Sequence, residues 1–228
     1  MKKSYAQYPT HLLAVDCIIF GFDGEKLKIL LVKRNLENHM GEWSLMGGFL
    51  NTDETLEEAA NRVLTSLTGL KNVYLEQLDV YSEMDREPNA RIISVSYYAL
   101  INIGENINVN AKYDAKWFPL YNSPSLIFDH NEMVEDAVSR LRRRASTRPI
   151  GFELLPEKFT MKELQTLYEA IFNEKYDKRN FINKINGLHI LKKTNEKDMT
   201  SSKKGSYLYK FDESEYKKRL AEGLLFKI

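Results

Sequence analysis

The sequence is poor in the residues that build secreted and membrane proteins. It has 228 residues and one cysteine, Cys17, which excludes an internal disulfide. Cys17 lies in an apolar segment, where a small buried thiol without reactivity is expected. No apolar run approaches the roughly 20 residues that a transmembrane helix needs, and no apolar core follows Met1 before Pro9, so a signal peptide is not expected. We predict a cytoplasmic protein that does not contact a membrane.

Histidine is scarce as well, with four residues in the chain. None of the four stands at metal-ligand spacing with a cysteine or a cluster of carboxylates. The sequence therefore gives no reason to expect a bound metal or another cofactor.

The net charge of +1 hides a strong difference between the two parts of the chain. Residues 1–138 contain 12 Lys and Arg against 20 Asp and Glu, whereas residues 139–228 contain 21 against 12. A basic segment joined to an acidic one is typical of a protein with a partner-binding domain, and nucleic acid is the usual partner of the basic part.

The segment from Gly47 to Leu70 combines a glycine turn, a polar loop and an amphipathic helix. Thr52 or Asp53 is the expected N-cap, and Gly69 is the expected left-handed residue at the helix end. The apolar side chains recur at helical spacing and form one face, namely Leu56, Ala59, Ala60, Val63, Leu64 and Leu67.

This segment resembles the Nudix box, whose glycine, glutamate, arginine and final glycine are matched by Gly48, Glu54, Arg62 and Gly69. Leu64 and Leu70 stand at the apolar positions of the box. The glutamates that follow the arginine in the box are replaced by Val63, Ser66 and Leu67. In the family these carboxylates hold divalent cations, and magnesium requires hard oxygen ligands. The resemblance therefore implies a Nudix domain that has lost catalysis and serves as a sensor.

The remaining N-terminal segments alternate between strands and helices. Leu12 to Phe20 and Leu27 to Lys33 are predicted strands around a turn, and this mixture favours an α/β/α sandwich with a mixed sheet over residues 1–148. Asp16 interrupts the first strand, and its carboxylate must either be paired or face a polar cavity. A helix capped by Asp129 ends in a dense run of arginines, in which Arg143 and Arg144 are predicted to contact phosphate or an acidic neighbouring domain. The alternative is that these cations lie in solvent at the helix C-terminus.

Residues 149–228 have the element order of a winged helix-turn-helix domain. Thr160 and Glu163 form a capping box for a first helix, and Lys178 to Asn186 is a second helix followed by a predicted β-hairpin. In such domains the second helix enters the major groove, and arginine and asparagine suit guanine and adenine edges. The predicted DNA contacts are Lys178, Arg179, Asn180, Asn183, Lys184 and Asn186 on the second helix, with Lys203 and Lys204 in the hairpin. The alternative is an interaction domain whose polar helix face is solvated.

A degenerate Nudix domain followed by a winged helix resembles the Nudix-related transcriptional regulators of bacteria, called NrtR-like. Matching segments are Asp85 to Pro88, Ser94 to Leu100, Trp117 to Leu120 and Phe128 to His130. The resemblance implies a homodimer on palindromic operator DNA. It also implies an effector, which is an ADP-ribose-like compound or a sugar such as L-arabinose, as in the arabinose-responsive AraR type.

Polar and aromatic side chains that suit sugar hydroxyls are the predicted effector contacts: Asp16, Lys33, Trp43, Glu83, Arg91, Ser94, Tyr97, Asp129 and His130. The competing hypothesis is a working Nudix hydrolase of a nucleoside diphosphate derivative such as ADP-ribose. Glu54, Glu57 and Glu58 share a helical face and could build a shifted metal site, although Glu58 could instead pair with Arg62. A third possibility, a protein-interaction adaptor, predicts no salt-sensitive DNA binding.

Overall fold

A computed structural model describes residues 4–36, 38–69, 73, 75–103, 114–150, 152–200, 204–224 and 226–227. Within these residues, no helix is long and apolar enough to cross a membrane. The predicted DNA contact Lys203 lies outside the described residues.

The N-terminal domain is built on a mixed sheet, as predicted. Its strands are β1 (Leu12–Phe22), β2 (Leu27–Lys33), β3 (Trp43–Ser44), β4 (Met46–Phe49), β5 (Leu75–Tyr81), β6 (Ile92–Asn102) and β7 (Lys116–Pro119). The main path through the sheet is β3-β2-β1-β6-β5, while β4 pairs with β1 and β7 with β2. Strands β1 and β6 are parallel over eleven residue pairs, and the other pairings are antiparallel.

Alternate residues of β1 pack on opposite faces of this sheet, because successive side chains of a strand point in opposite directions. Val15, Cys17 and Ile19 pack with helix α1 (Leu56–Thr68), whereas Ile18 and Phe20 belong to the cluster that contains helix α2 (His130–Thr147). The α/β/α sandwich is thereby confirmed, with α1 and α2 on opposite faces.

Helix α1 begins later than the sequence suggested. Its N-cap is Thr55, not Thr52 or Asp53, and Thr55 forms a capping box with Glu58. This pairing also answers the question raised for Glu58, whose carboxylate accepts from Thr55 rather than from Arg62. Gly69 has φ 74° at the helix end, as predicted.

The C-terminal domain has the predicted winged-helix order. It contains β8 (Phe159–Thr160), α3 (Met161–Phe172), α4 (Lys178–Leu188), β9 (Leu191–Asp198), β10 (Ser206–Phe211) and α5 (Glu213–Ala221), with the strands ordered β8-β10-β9. The capping box of Thr160 and Glu163 is present on α3. The loop of the hairpin was predicted from Thr194 to Gly205, but strand β9 extends to Asp198, because Lys193 and Lys197 pair with Tyr209 and Tyr207 of β10.

The apolar core continues from one domain to the other. Met133, Ala137 and Leu141 of α2 belong to the same buried cluster as Leu164 and Leu167 of α3. The apolar side of α2 is therefore packed at the junction between the two domains.

Candidate functional site

A cavity of about 230 Å³ opens beside the N-terminal half of β1. Its walls come from β1, the end of β2, the β3–β4 segment, the loop after β2, and the segment that leads into α2. The main lining residues are Asp16, Lys33, Arg34, Asn35, Leu36, Ser44, Leu45, Gly47, Phe49, Arg86, Glu87, Phe128 and His130.

Asp16 provides a carboxylate at the floor of this cavity. It is 6% exposed, and its Oδ2 accepts a hydrogen bond of 2.5 Å from the hydroxyl of Ser94 on β6. The sequence left open whether Asp16 is paired or faces a polar cavity, and in the structure both are true. Opposite Asp16 on β4 is Gly47, where a Cβ atom would overlap with Asp16 Oδ1. Glycine is thus required at this position for the carboxylate to fit.

His130 begins helix α2 and presents its ring to the same floor. Its Nδ1 accepts from the backbone N–H of Leu45 at 3.2 Å, and its Nε2 lies 3.8 Å from Asp16 Oδ1. Since Nδ1 is an acceptor, the proton of the neutral ring resides on Nε2, on the side of Asp16. Burial lowers the pKa of His130, against an opposing effect of the Asp16 carboxylate. A neutral imidazole and a carboxylate therefore share the cavity floor.

Phe128 forms an aromatic wall of the cavity. The guanidinium of Arg34 lies 4.9 Å from the centre of its ring, and Arg34 is also 3.8 Å from the carboxylate of Glu87. Phe128 has φ 51°, in the left-handed region that aromatic residues rarely adopt. Such a conformation persists only where the surroundings hold it in place, and it is commonest at ligand-binding sites.

A buried ion pair separates this cavity from a second, wider one. Arg86 donates two hydrogen bonds of 2.7 Å to the carboxylate of Asp129, one from Nε and one from Nη2. Arg86 and Phe128 line both cavities, and the second has a volume of about 680 Å³ with Glu83, Asp85 and Asp129 in its wall. A ligand longer than either cavity would have to pass this pair.

The structure brings together a part of the predicted effector set. Asp16, Lys33 and His130 line the first cavity, Ser94 supports Asp16 from behind, and Glu83 and Asp129 line the second cavity. Asp129 was predicted to cap α2, but its side chain makes no capping hydrogen bond and pairs with Arg86 instead.

Three predicted effector contacts lie elsewhere. Trp43 packs edge-on against Phe118 at 4.7 Å, Tyr97 is 5% exposed within the core beside α1, and Arg91 donates to the backbone carbonyl of Glu83. None of the three lines either cavity. Four lining residues were not predicted as effector contacts, namely Arg34, Arg86, Glu87 and Phe128. They lie on connecting segments, where no periodic pattern indicates which side chains point inward.

The positions of the Nudix-box glutamates are occupied by packing contacts. Val63 is 3% exposed and lies under Gly48, where a Cβ atom would approach it to 2.8 Å. The hydroxyl of Ser66 donates to the backbone carbonyl of Val63, while the side chain of Leu67 lies outside the described residues. Glu54 accepts two hydrogen bonds from Arg62, which also donates to the backbone of Phe49. This pair lowers the pKa of Glu54 to about 2.

This donor set does not fit a divalent cation. Glu54 is paired with Arg62, and Glu58 is used by the capping box of α1, which leaves Glu57 as the one carboxylate of the three without such a contact. Among the described residues, no group of three or more His, Cys, Asp or Glu side chains could hold a metal ion. Among the described residues at these positions, the carboxylates are therefore few or already hydrogen-bonded within the protein, whereas magnesium favours several oxygen ligands.

The second helix of the C-terminal domain presents a polar face to solvent. Phe181, Ile185 and Leu188 are its buried side. The six predicted DNA contacts are all exposed: Lys178, Arg179, Asn180, Asn183, Lys184 and Asn186. Asp177 is the N-cap of the helix, and its side chain accepts from the backbone N–H of Asn180.

The hairpin beside this helix carries a second group of cations. Lys193 and Lys197 of β9 place their ammonium groups 3.4 and 4.7 Å from the ring centre of Tyr207 on β10. Lys204, a predicted DNA contact, is exposed at the hairpin tip. Lys197 was predicted to lie in the loop of the hairpin, whereas it lies on β9 with its ammonium group over the ring of Tyr207.

The arginine-rich end of α2 is used differently from the prediction. Arg144 pairs with Glu76 of β5 and donates to the hydroxyl of Tyr98 at 2.8 Å, and Arg142 donates to the backbone of Ile171 at 3.0 Å. Arg144 therefore pairs with a carboxylate of its own domain, and its predicted contact with phosphate stays a prediction. The predicted contact Arg143 is exposed.

Two family descriptions match the sequence. Residues 10–136 match the NUDIX domain, and residues 151–211 match the NrtR DNA-binding winged helix domain. The two matched ranges correspond to the α/β/α sandwich and to the C-terminal winged-helix domain.

The chain is also similar to characterised proteins. It is 30% identical over 216 residues to the ADPR responsive transcriptional repressor NtrR of Acinetobacter baylyi, covering 92% of this chain and 86% of that protein. It is 37% identical over 134 residues to an ADP-ribose pyrophosphatase of Methanocaldococcus jannaschii, covering 59% of this chain and 77% of that protein.

Solved structures of Shewanella oneidensis NrtR are similar as well. The structure in complex with a 27mer DNA has a TM-score of 0.78 and 29% identity, covering 90% of this chain and 95% of that chain. The NUDIX domain of the same protein in complex with ADP ribose has a TM-score of 0.54 and 33% identity, covering 61% of this chain and 94% of that chain. The names of these proteins point to ADP-ribose, and the expectation of a free sugar finds no support in them.

Proposed function

The chain belongs to the NUDIX family and joins that domain to an NrtR-type winged helix, and from this we propose that it is a DNA-binding transcriptional repressor that responds to ADP-ribose. The proposal replaces the sugar effector that the sequence suggested. Three cations, two carboxylates and two phenylalanines line one cavity of the NUDIX domain, and this combination carries the proposal.

The chemistry of the cavity suits a nucleoside diphosphate sugar. Lys33 and Arg34 offer positive charge to a diphosphate, and the carboxylates of Asp16 and Glu87 are acceptors for ribose hydroxyls. Phe128 offers a ring face to an adenine base. A free monosaccharide such as arabinose carries no negative charge for Lys33 and Arg34 to bind.

The size of the site also favours an extended ligand. The first cavity, about 230 Å³, is smaller than the roughly 300 to 1,000 Å³ of common ligand sites. Its neighbour of about 680 Å³ shares Arg86 and Phe128 with it. We infer that ADP-ribose occupies both cavities and passes Arg86 and Phe128 between them.

The residues at the Nudix-box positions favour binding of ADP-ribose without hydrolysis. The carboxylates that could polarise a diphosphate through a metal are replaced by Val63 and Ser66, or are engaged by Arg62 and Thr55. Without a cation, the developing charge of a leaving phosphate has no Lewis acid to stabilise it. The alternative function, a hydrolase of ADP-ribose, is favoured by the similarity to the pyrophosphatase of M. jannaschii.

DNA binding is assigned to α4 and the hairpin of β9 and β10. Helix α4 would lie in the major groove with Arg179, Asn183 and Asn186 towards base edges. Lys193, Lys197 and Lys204 would contact the flanking phosphates. Since helix-turn-helix proteins commonly read palindromes as two-fold symmetric dimers, the proposal includes a homodimer.

The effector acts through a difference in affinity between two arrangements of the dimer. ADP-ribose would favour an arrangement in which the spacing of the two α4 helices no longer fits the operator. By linkage, ADP-ribose and DNA must then weaken each other by the same factor. This reciprocity gives the proposal a quantitative test.

The test uses the purified full chain and a duplex enriched by in vitro selection from random DNA. Fluorescence anisotropy would measure DNA affinity with ADP-ribose or L-arabinose titrated in. ADP-ribose is expected to weaken the complex, whereas arabinose has no effect. An effect of arabinose alone would restore the sugar hypothesis, and an absence of any sequence-selected duplex would remove the DNA-binding function.

A parallel assay decides between sensor and enzyme. ADP-ribose is incubated with the protein and Mg²⁺, and AMP and ribose 5-phosphate are measured by chromatography. No product above the protein-free control is expected. Turnover that depends on Mg²⁺ would establish the hydrolase.

A further inference from the structure

The backbone carbonyl of Ile171 joins the two domains. It lies in the last turn of α3, where helix carbonyls lack a partner within the helix. Two side chains of the NUDIX domain donate to it, Tyr121 through its hydroxyl at 2.8 Å and Arg142 through Nε at 3.0 Å. Tyr121 belongs to a 3-10 turn at Leu120–Asn122 after β7, and Arg142 belongs to α2.

The two donors are also bound to each other. Arg142 donates to the hydroxyl of Tyr121 at 3.1 Å, and its guanidinium lies 5.6 Å from the centre of the Tyr121 ring. The hydroxyl of Tyr121 thus accepts from one group and donates to another, so that its position depends on both domains. The positive charge of Arg142 also lies at the negative end of the α3 dipole, where it is favourable. We call Tyr121, Arg142 and the Ile171 carbonyl the Ile171 clamp.

Helix α2 connects the Ile171 clamp to the cavity of about 230 Å³ that contains Asp16 and His130, which we call the effector cavity. The first residue of the helix, His130, is on the cavity floor, and Phe128 in the cavity wall lies two residues before it. The helix has 18 residues and hence a length of about 27 Å. Met133, Ala137, Leu141 and Ala145 form a fully buried stripe along it. A packed helix of this kind moves as a unit, since a close-packed core transmits displacement.

The connection continues from α3 into the recognition helix α4. Tyr168 of α3 is fully buried, and its ring lies 5.8 Å from that of Phe181 on α4. Ile171 and Ile185 belong to the same buried cluster. The direction of α3 therefore sets the direction of α4.

We propose that Tyr121 and Arg142 are positioning residues, which fix the winged helix to α2 and pass the state of the effector cavity to α4. This inference rests on the proposed function for the identity of the effector and of the DNA, but not for the contact itself. When a ligand shifts Phe128 or His130, α2 moves with them and the Ile171 clamp carries α3 along. The Ile171 clamp lies at the opposite end of α2 from the effector cavity and would act without contacting ligand or DNA.

The first experiment measures the position of the domains without effector or DNA. Cysteines are introduced at the exposed residues Ser139 and Glu222 for spin labels, because Cys17 is fully buried with a raised pKa and will not react. Labelled chains are diluted with unlabelled chains, and electron–electron double resonance gives the interdomain distance. Tyr121→Phe, which keeps the ring and removes the hydroxyl, is expected to broaden the distance distribution. An unchanged distribution would overturn the proposal.

The second experiment measures the coupling of the two sites. The factor by which saturating ADP-ribose weakens DNA binding is compared between the wild type, Tyr121→Phe and Arg142→Gln. Allosteric coupling commonly changes affinity by about 5- to 150-fold, and both variants are expected to reduce the wild-type factor by about three- to tenfold. Tyr8→Phe, at an exposed tyrosine of the same domain, is the matched control and should leave it unchanged.

A merely structural role of the clamp is distinguishable in these data. It would lower the melting temperature of the variants without changing the coupling factor or the distance distribution, and that result would overturn the proposal. A wild type that ignores ADP-ribose would instead refute the proposed effector, and the distance measurement would still decide whether the clamp positions the domains.

Discussion

His130 and Asp16 face each other across the floor of the effector cavity, with His130 Nε2 3.8 Å from Asp16 Oδ1. The opposite nitrogen of the ring accepts from the backbone of Leu45, which fixes the proton on the side of the carboxylate. The first residue of α2 is thereby tied to β1 and to the β3–β4 segment at once. A ligand that inserts between His130 and Asp16 must disturb the start of α2.

The buried His130 should make stability depend on pH. Burial lowers its pKa in the folded state, so below about pH 6.5, the ordinary value for histidine, the unfolded chain binds a proton that the folded chain does not. The free energy of unfolding therefore falls as pH decreases through this range, until the lowered pKa is passed. His130→Asn cannot titrate, yet its amide oxygen can accept from Leu45. Urea unfolding at pH 7.5 and 5.5 should show a shallower decrease for this variant, and parallel decreases would contradict the assignment.

Gly47 should be intolerant of a methyl group. A Cβ there would overlap with the Asp16 carboxylate and lie 3.3 Å from the backbone oxygen of Val15. Gly47→Ala is expected to destabilise the fold by about 1–3 kcal/mol, as other overpacked cores are, and to weaken ADP-ribose binding because Asp16 must move. Gly187→Ala is the control, since nothing lies within 4 Å of its Cβ and alanine in a helix stabilises by about 0.5–1 kcal/mol. Urea unfolding and titration calorimetry measure both effects, and equal stabilities of the two variants would be inconsistent with this geometry.

Phe128 allows its ring and its backbone to be tested separately. Phe128→Ala and Phe128→Gly both remove the ring and should weaken ADP-ribose binding alike, by about 1–3 kcal/mol if a base stacks there. The glycine variant should be the more stable by about 1 kcal/mol, because the φ of 51° penalises any residue with a Cβ. Unfolding curves and calorimetry distinguish the two effects. If the alanine variant is the more stable, the left-handed conformation of this residue is refuted.

Arg179 should contribute to base recognition and leave effector binding intact. It is exposed on α4, and the loss of a bidentate contact to guanine costs about 1–3 kcal/mol. Arg179→Gln should therefore weaken the selected duplex by that amount but retain the wild-type affinity for ADP-ribose. Lys217→Gln is the control, because Lys217 pairs with Glu213 on α5. Fluorescence anisotropy at several salt concentrations measures the DNA affinity of both variants. Equal losses of DNA affinity in the two variants would mean that α4 does not enter the major groove.

Much of the fold could be predicted because it depends on local patterns. The capping box of Thr160 and Glu163 and the left-handed Gly69 are set by neighbours in sequence. The start of α1 was placed too early, since Thr52, Asp53 and Thr55 are all acceptable caps and only the distance to Glu58 selects the third. Such choices depend on where the helix packs.

The effector site was harder to predict because it is built from connecting segments. Asp16 was found since a carboxylate in an apolar strand needs an explanation. Arg34, Arg86 and Phe128 follow no period, and their roles depend on contacts between distant residues. Trp43 and Tyr97 were included for their chemistry alone, whereas the pleat of the sheet directs Tyr97 to the face covered by α1.

The pairing of the α2 arginines within the protein should lower its affinity for non-specific DNA. Arg142 and Arg144 add to the positive charge of residues 139–228, but both are held by groups within the protein, Ile171 and Glu76. Fewer mobile cations then surround the duplex than the amino-acid count suggests, and fewer counterions are released on contact with random DNA. The protein should accordingly bind random DNA weakly and dissociate from it quickly. Long residence times are then expected only at sites whose base edges fit α4.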